Sequence, residues 1–368
     1  MFIVDCDIHN YWSSAEVLRP YLHGWWLDYF DRGENTGPRG SFPKGHRAWL
    51  HPENFKRADI NPENEDEHYT MMRDRHLDLH GIDIAILTGD EPLEVSTLGN
   101  PHYAQALASA YNDWLIDQWL PRDERFFGSI IIAPQDPQIA AKEIRRLGKH
   151  PRIIQVLASH GSVMPYGDPY YHPIYEACVD VGLPFAVHLG GNGGINTTPF
   201  ANGSPRYFAE AHGLLFQPAQ THVVSMIMNG VFEKFPSFKF VVIECGVAWA
   251  APLLWRMDAE WKALRKETPW VKRAPSEYFS AHVRLTTQPL ERPDNVELLW
   301  SCLHAIDGKN TLMFASDYPH WDQDNISDIR LPAGWDDAVF GENALATYPR
   351  LAENLPACAK EALAAPAH

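Results

Sequence analysis

Short apolar runs recur along the chain, each followed by a polar turn and then by a segment whose apolar residues repeat at helical spacing. The runs are Phe2 to Asp5, Ile82 to Leu87, Phe127 to Ile132, Ile153 to Leu157, Pro184 to His188, Phe240 to Glu244, Val283 to Thr287 and Leu312 to Ala315. Helical segments between them include Ala104 to Leu120, Pro137 to Leu147, Pro173 to Val181 and Ala248 to Lys266. Such alternation predicts an α/β fold with parallel strands, because each strand must return through a crossover helix before the next can pair in the same direction. Eight units predict a closed (β/α)8 TIM barrel, and an open doubly wound sheet is the competing architecture.

Two stretches break the rhythm. Residues 19–70 are rich in Trp, His, Pro, Gly and Asn and too long for a βα connection, so they are expected to form a lid insertion over the barrel mouth. Residues 190–220 form a long loop after the fifth run, opening with Gly190, Gly191, Asn192, Gly193 and Gly194. These glycines lack the G-x-G-x-x-G order and a helix directly behind them, so they read as loop and not as a phosphate cradle. The barrel domain is expected over residues 1–354, and the Ala-rich 355–368 is read as a C-terminal tail, docked helix or loose.

Charge narrows the partners. Lys plus Arg number 31 against 47 Asp plus Glu, a formal net charge of −16 that repels a phosphate backbone and argues against nucleic acid. Cys6, Cys178, Cys245, Cys302 and Cys358 are widely spaced with no C-x-x-C pair, so neither a disulfide framework nor a zinc knuckle is expected, and a reducing cytoplasm fits. No apolar run approaches the roughly 20 residues that cross a bilayer, so no membrane association is expected. Neither a G-x-S-x-G elbow nor a P-loop occurs.

Chemistry collects where the strands end, the face on which such barrels build their sites. The first strand ends Asp5, Cys6, Asp7, Ile8, His9. Alternate residues of a strand share a side, so Asp5, Asp7 and His9 are all expected to point inward, where a divalent cation would offset their burial. The fifth run ends at His188, the sixth at Glu244, and the eighth is followed by Asp317 and His320. On the seventh, His282 and Arg284 alternate, and Arg284 is expected to bind a substrate carboxylate or to pair with a neighbouring one. His212 and His222 are weaker candidates on or after the long fifth loop.

Asp5-x-Asp7-x-His9, His188 and Ser316-Asp317-Tyr318-Pro319, with the segments Gly230 to Pro236 and Trp249 to Asp258, resemble the amidohydrolase superfamily. The similarity lies with the branch related to aminocarboxymuconate semialdehyde decarboxylase and covers almost the whole barrel. It implies a divalent metal held by Asp7, His9, His188 and Asp317. Decarboxylases of that branch carry a sixth-strand histidine as acid/base, whereas this chain reads Ile243-Glu244-Cys245-Gly246. Glu244 and His320 raise the donor set to three histidines and three carboxylates, more than a single ion needs, which implies a second metal or supporting roles. Mixed imidazole and carboxylate suits iron or manganese as well as zinc.

The donor count, the run Ser316 to Asp322 and the run Arg284 to Pro289 are also similar to a smaller group, the dinuclear iron or manganese/iron monooxygenases that include 2-aminoisobutyric acid hydroxylase subunits. The first functional reading is accordingly an O2-dependent dinuclear monooxygenase of a small carboxylate-bearing substrate. In it Glu244 or Asp317 bridges two ions, Glu244, His320 and Arg284 are catalytic, and Trp12, Trp25, Trp26 and Trp321 furnish a dry pocket. The second is a one-ion zinc or manganese hydrolase or decarboxylase of a small carboxylate, with Glu244 or His222 moving protons. The third is a metal-binding, non-catalytic partner of a homologous chain. Expected partners are the small-molecule substrate, O2 in the first reading, and further copies or a homologous subunit in an oligomer.

Overall fold

Eight parallel strands pair in chain order in the computed structural model: β1 (Val4–Ile8), β2 (Ile84–Leu87), β3 (Phe126–Ile131), β4 (Ile153–Ser159), β5 (Phe185–His188), β6 (Phe240–Ile243), β7 (Val283–Thr286) and β8 (Leu312–Met313). The structure describes residues 1–12, 14–32, 64–190, 207–214, 216–320 and 322–364. The seam between β8 and β1 closes the barrel: Cys6 N–H donates to Phe314 O at 2.9 Å, Asp317 N–H to Asp7 O at 3.1 Å and His9 N–H to Tyr318 O at 2.9 Å. The (β/α)8 TIM barrel expected from the eight-fold alternation is therefore the fold.

Helices start where side chains satisfy the free N–H groups of their first turn. Asn100 accepts from His102 and Tyr103 ahead of the Pro101–Trp114 helix, and Asp136 accepts from Gln138 and Ile139 ahead of Pro137–Leu147. The Pro101–Trp114 helix then passes through a π-helical turn, Leu115–Trp119. Further barrel-wall helices are His172–Val181, Phe216–Met228, Ala250–Leu264, Pro275–His282 and Val296–Ala305. The tail contributes the helix Ala357–Ala364, docked through the buried Ala359.

β1 departs from expectation in a way that matters for the site. Asp5 pairs with Ala85 and Ile8 with Leu87, three residues against two, so β1 carries a bulge between them. An extra residue reverses the alternation of faces. Asp5 consequently turns to the helix layer, where His76 receives it at 2.8 Å, while Asp7 and His9 join residues from the far side of the barrel. The expectation that all three point inward holds for two.

Of the lid insertion expected over 19–70, residues 33–63 lie outside the described residues; around them stand the short helices Ala15–Tyr21 and Trp25–Asp31 and the helix Glu65–Met72. Within the loop expected over 190–220, residues 191–206 and 215 lie outside the described residues, Phe208–His212 is helical, and the helix Phe216–Met228 already begins before the expected end of the loop.

Candidate metal centre

The carboxyl ends of four strands bring Asp7, His9, His188, Glu244 and Asp317 together, each offering a ligand atom, all within 4.8 Å of one another. All five side chains are buried. β1 delivers Asp7 and, just beyond its end, His9; His188 is the last residue of β5; Glu244 directly follows β6; and Asp317 stands in the turn after β8. Glu244 and Asp317 have φ of 54° and 64°, a left-handed conformation that costs a non-glycine residue of order 1–3 kcal/mol. Each is held by its main-chain N–H, Glu244 on Thr286 Oγ1 at 3.1 Å and Asp317 on Asp7 O at 3.1 Å.

The two histidines are oriented from behind. His188 Nδ1 lies 2.6 Å from Leu189 O, and His9 Nδ1 contacts Gly89 O. A carbonyl only accepts, so Nδ1 carries the proton in each ring and Nε2 is the atom left for a ligand. His9 Nε2 is 2.7 Å from Asp317 Oδ1, and His188 Nε2 is 3.2 Å from Asp7 Oδ2 and 3.5 Å from Glu244 Oε2. Asp7 Oδ1 accepts from Thr88 Oγ1 at 2.6 Å.

The electrostatics call for a cation. Burial opposes protonation of His188, yet the carboxylates of Asp7 and Glu244 outweigh it and push its pKa up to about 9. Burial carries His9 the other way, down to about 4. Burial would raise Asp7 as well, but His188 and His9 bring it below the usual carboxylate range. Burial, reinforced by neighbouring carboxylates, drives Asp317 and Glu244 well above theirs. A neutral His9 whose Nε2 faces Asp317 Oδ1 at 2.7 Å sets acceptor against acceptor unless a proton or a metal ion lies between them. Asp317 Oδ2 and His320 Nε2 are buried without a hydrogen-bond partner. Two imidazoles and three carboxylates, with unspent donors at the same place, fit a divalent ion of the manganese, iron or zinc class.

His320 stands beside this group. Its ring stacks on His9 with centroids 4.1 Å apart, its Nδ1 is 2.7 Å from Asp317 Oδ1, and His9, Asp90 and His320 form a second set of converging ligand atoms. Asp90, in the turn after β2, was not foreseen; a carboxylate three residues beyond a buried apolar strand is the signal that would have found it. Thr88, which orients Asp7, gives no such signal.

Other expected site residues lie elsewhere. Arg284 is the second residue of β7, near its amino end, with its guanidinium donating to Ser280 O and Val283 O, so it does not reach the metal group as a substrate anchor or catalytic residue. Strand alternation gives a side but not an end. His282, just before β7, is spent on Phe238 O. His222 accepts from Tyr166 N–H at 3.1 Å and its Nε2 donates to His160 O at 2.7 Å, which leaves no nitrogen for proton transfer. His212 pairs with Asp322 at 3.0 Å. Trp12 packs on Tyr111 and Trp114, Trp26 on Tyr29 and Tyr103, and Trp25 is exposed; Trp321 lies outside the described residues.

A family model described as amidohydrolase matches residues 4–350. The gamma-resorcylate decarboxylase of Polaromonas sp. JS666 is 26% identical over 272 residues, covering 70% of this chain and 78% of the relative. Among solved structures, the 5-carboxyvanillate decarboxylase of Sphingomonas paucimobilis superposes with a TM-score of 0.65 at 23% identity, covering 95% of this chain and 98% of the other. A dihydroxybenzoic acid decarboxylase from Polaromonas sp. JS666, with bound manganese and the inhibitor 2-nitroresorcinol, gives 0.66 at 21% identity, covering 96% and 99%. At these structural identities the likeness is one of fold.

Proposed function

The chain belongs to the amidohydrolase family, and from that membership we propose that it is a metal-dependent decarboxylase of a small aromatic carboxylate, with manganese as its ion. The convergence of Asp7, His9, His188, Glu244 and Asp317 at the barrel mouth carries this reading. The decarboxylase at 26% identity and the manganese in a decarboxylase of the same fold support it. This is the second of the readings drawn from the sequence, now preferred to the monooxygenase.

Asp7, His9, His188 and Asp317 are the residues that would hold the ion, which when bound polarises substrate oxygens and offsets their negative charge. Glu244 is the group assigned to move the proton, since burial pushes its carboxyl well above the usual carboxylate range and no sixth-strand histidine is present to do so. Its proton passes to the ring carbon that bears the carboxylate. The bond from that carbon to the carboxylate then breaks, its electron pair returns to the ring, CO2 departs, and Glu244 regains a proton from water. The test is CO2 release from hydroxybenzoates by manganese-loaded protein in oxygen-free buffer, with one ion per chain. Loaded protein that turns over only with O2 would defeat this reading.

One observation favours the dinuclear monooxygenase as a second reading: His9 belongs to both ligand sets, so an ion at Asp90 and His320 would neighbour the first. Two redox-active ions per chain and oxygen consumption stoichiometric with product would establish it.

A further inference from the structure

The bulge in β1 separates Asp5 from the metal group, yet Asp5 remains buried and fully engaged. Its Oδ1 accepts from Ser316 N–H at 2.9 Å and from Asp7 N–H at 3.3 Å, and its Oδ2 lies 2.8 Å from His76 Nε2. One carboxylate thus grips the main chain of Asp7 itself and of the residue before Asp317. His76 also meets Ser316 Oγ at 3.1 Å, and Ser316 Oγ accepts from Tyr318 N–H at 3.1 Å, so the turn is held on both sides of Asp317. The Tyr318 ring stacks on His76, 4.5 Å between centroids and 18° from parallel. His76 comes from a π-helical turn, Arg73–Leu77, an irregularity that turns a side chain out of the regular helical pattern. Its Nδ1 is buried with no hydrogen-bond partner, so its polar contacts are all made through Nε2, toward Asp5 and Ser316.

From this we infer that His76 is a positioning residue: acting through Asp5 and Ser316, it sets the two ligand-bearing segments at the barrel seam so that Asp7 and Asp317 present their carboxylates to one ion. The inference rests on the reading of Asp7 and Asp317 as metal ligands. Nothing in the order of the sequence links residue 76 to residues 5 and 316; the fold does.

The experiment is Mn2+ binding, followed by the electron paramagnetic resonance signal of free Mn2+, in the full-length chain and in His76→Ala, His76→Gln and Asp317→Asn. Removing a partner of this kind is expected to raise the Mn2+ Kd by about 10- to 100-fold. His76→Gln should recover most of that loss, because its amide can still donate to Asp5 Oδ2, a rescue that mere filling of space does not predict. A His76→Ala Kd within twofold of the parent, with Asp317→Asn losing the ion, would overturn the inference and leave the metal site standing. Mn2+ binding unchanged in Asp317→Asn would instead overturn the site reading, and the inference with it. If His76→Ala fails to fold, Ser316→Ala carries the same test: a raised Kd supports the inference and an unchanged one overturns it.

Discussion

His188 turns Nε2 into the site and, with a pKa near 9, holds a proton there that an incoming ion must displace. Its folded pKa exceeds the unfolded value of about 6.5, so its stabilising effect is fully present below that pH and is lost as pH rises through 9. Metal affinity runs the opposite way. Mn2+ binding should strengthen by up to about tenfold per pH unit between pH 6.5 and 9 and then level off, as titrations across that window will read; a flat profile would contradict the proton assignment. Asp317→Asn and His188→Ala should each lose metal and activity together, by elemental analysis and assay. Glu244→Gln should keep the ion while kcat falls about 10²- to 10⁴-fold, the scale of general acid catalysis; preferential loss of one ion of two would favour the dinuclear reading. Arg284→Met should leave kcat/KM unchanged, since the Arg284 side chain sits near the amino end of β7, where Nη1 donates to Ser280 O and Val283 O.

Elements were legible where local chemistry marks their ends. Pro137–Leu147 matches expectation residue for residue because Asp136 and Pro137 set its start. The next helix upstream begins at Pro101, three residues before its apolar periodicity, because the Asn100 cap and not the apolar stripe fixes the boundary. The strand-end rule points to Asp7, His9, His188, Glu244 and Asp317, and the structure brings these same five together, since parallel strands open on one rim. The rule misplaces Asp5 because a bulge leaves no mark in the sequence, and it misses His76 because a helix-layer contact has no period. Close approach between elements sets a further limit: a Cβ at Gly167 would lie 2.1 Å from the backbone of Ser225 in the Phe216–Met228 helix. Gly167→Ala must therefore push that helix away from the segment after β4, where His222 bonds Tyr166 and His160, at about 1–3 kcal/mol or more, seen as a lowered Tm.

On the scale of the whole molecule, an ion at this centre would join β1, β5 and β8, clamping opposite walls of the barrel and both sides of its seam. Bound only by the folded chain, it should add about 2.7 kcal/mol at a free concentration 100 times Kd. Melting curves should show Tm rising with Mn2+ and falling back with chelator, and a Tm indifferent to both would argue that the ligands do not share an ion. The seam also has a consequence for synthesis. Asp317 trails its contact partner His9 by 308 residues, so the ribosome delivers the last of the proposed ligands after most of the barrel has been made. A prematurely terminated chain lacking β8 would leave β1 an open, unpaired edge and lack Asp317, so the proposed centre could form only once that strand and the turn after it are made.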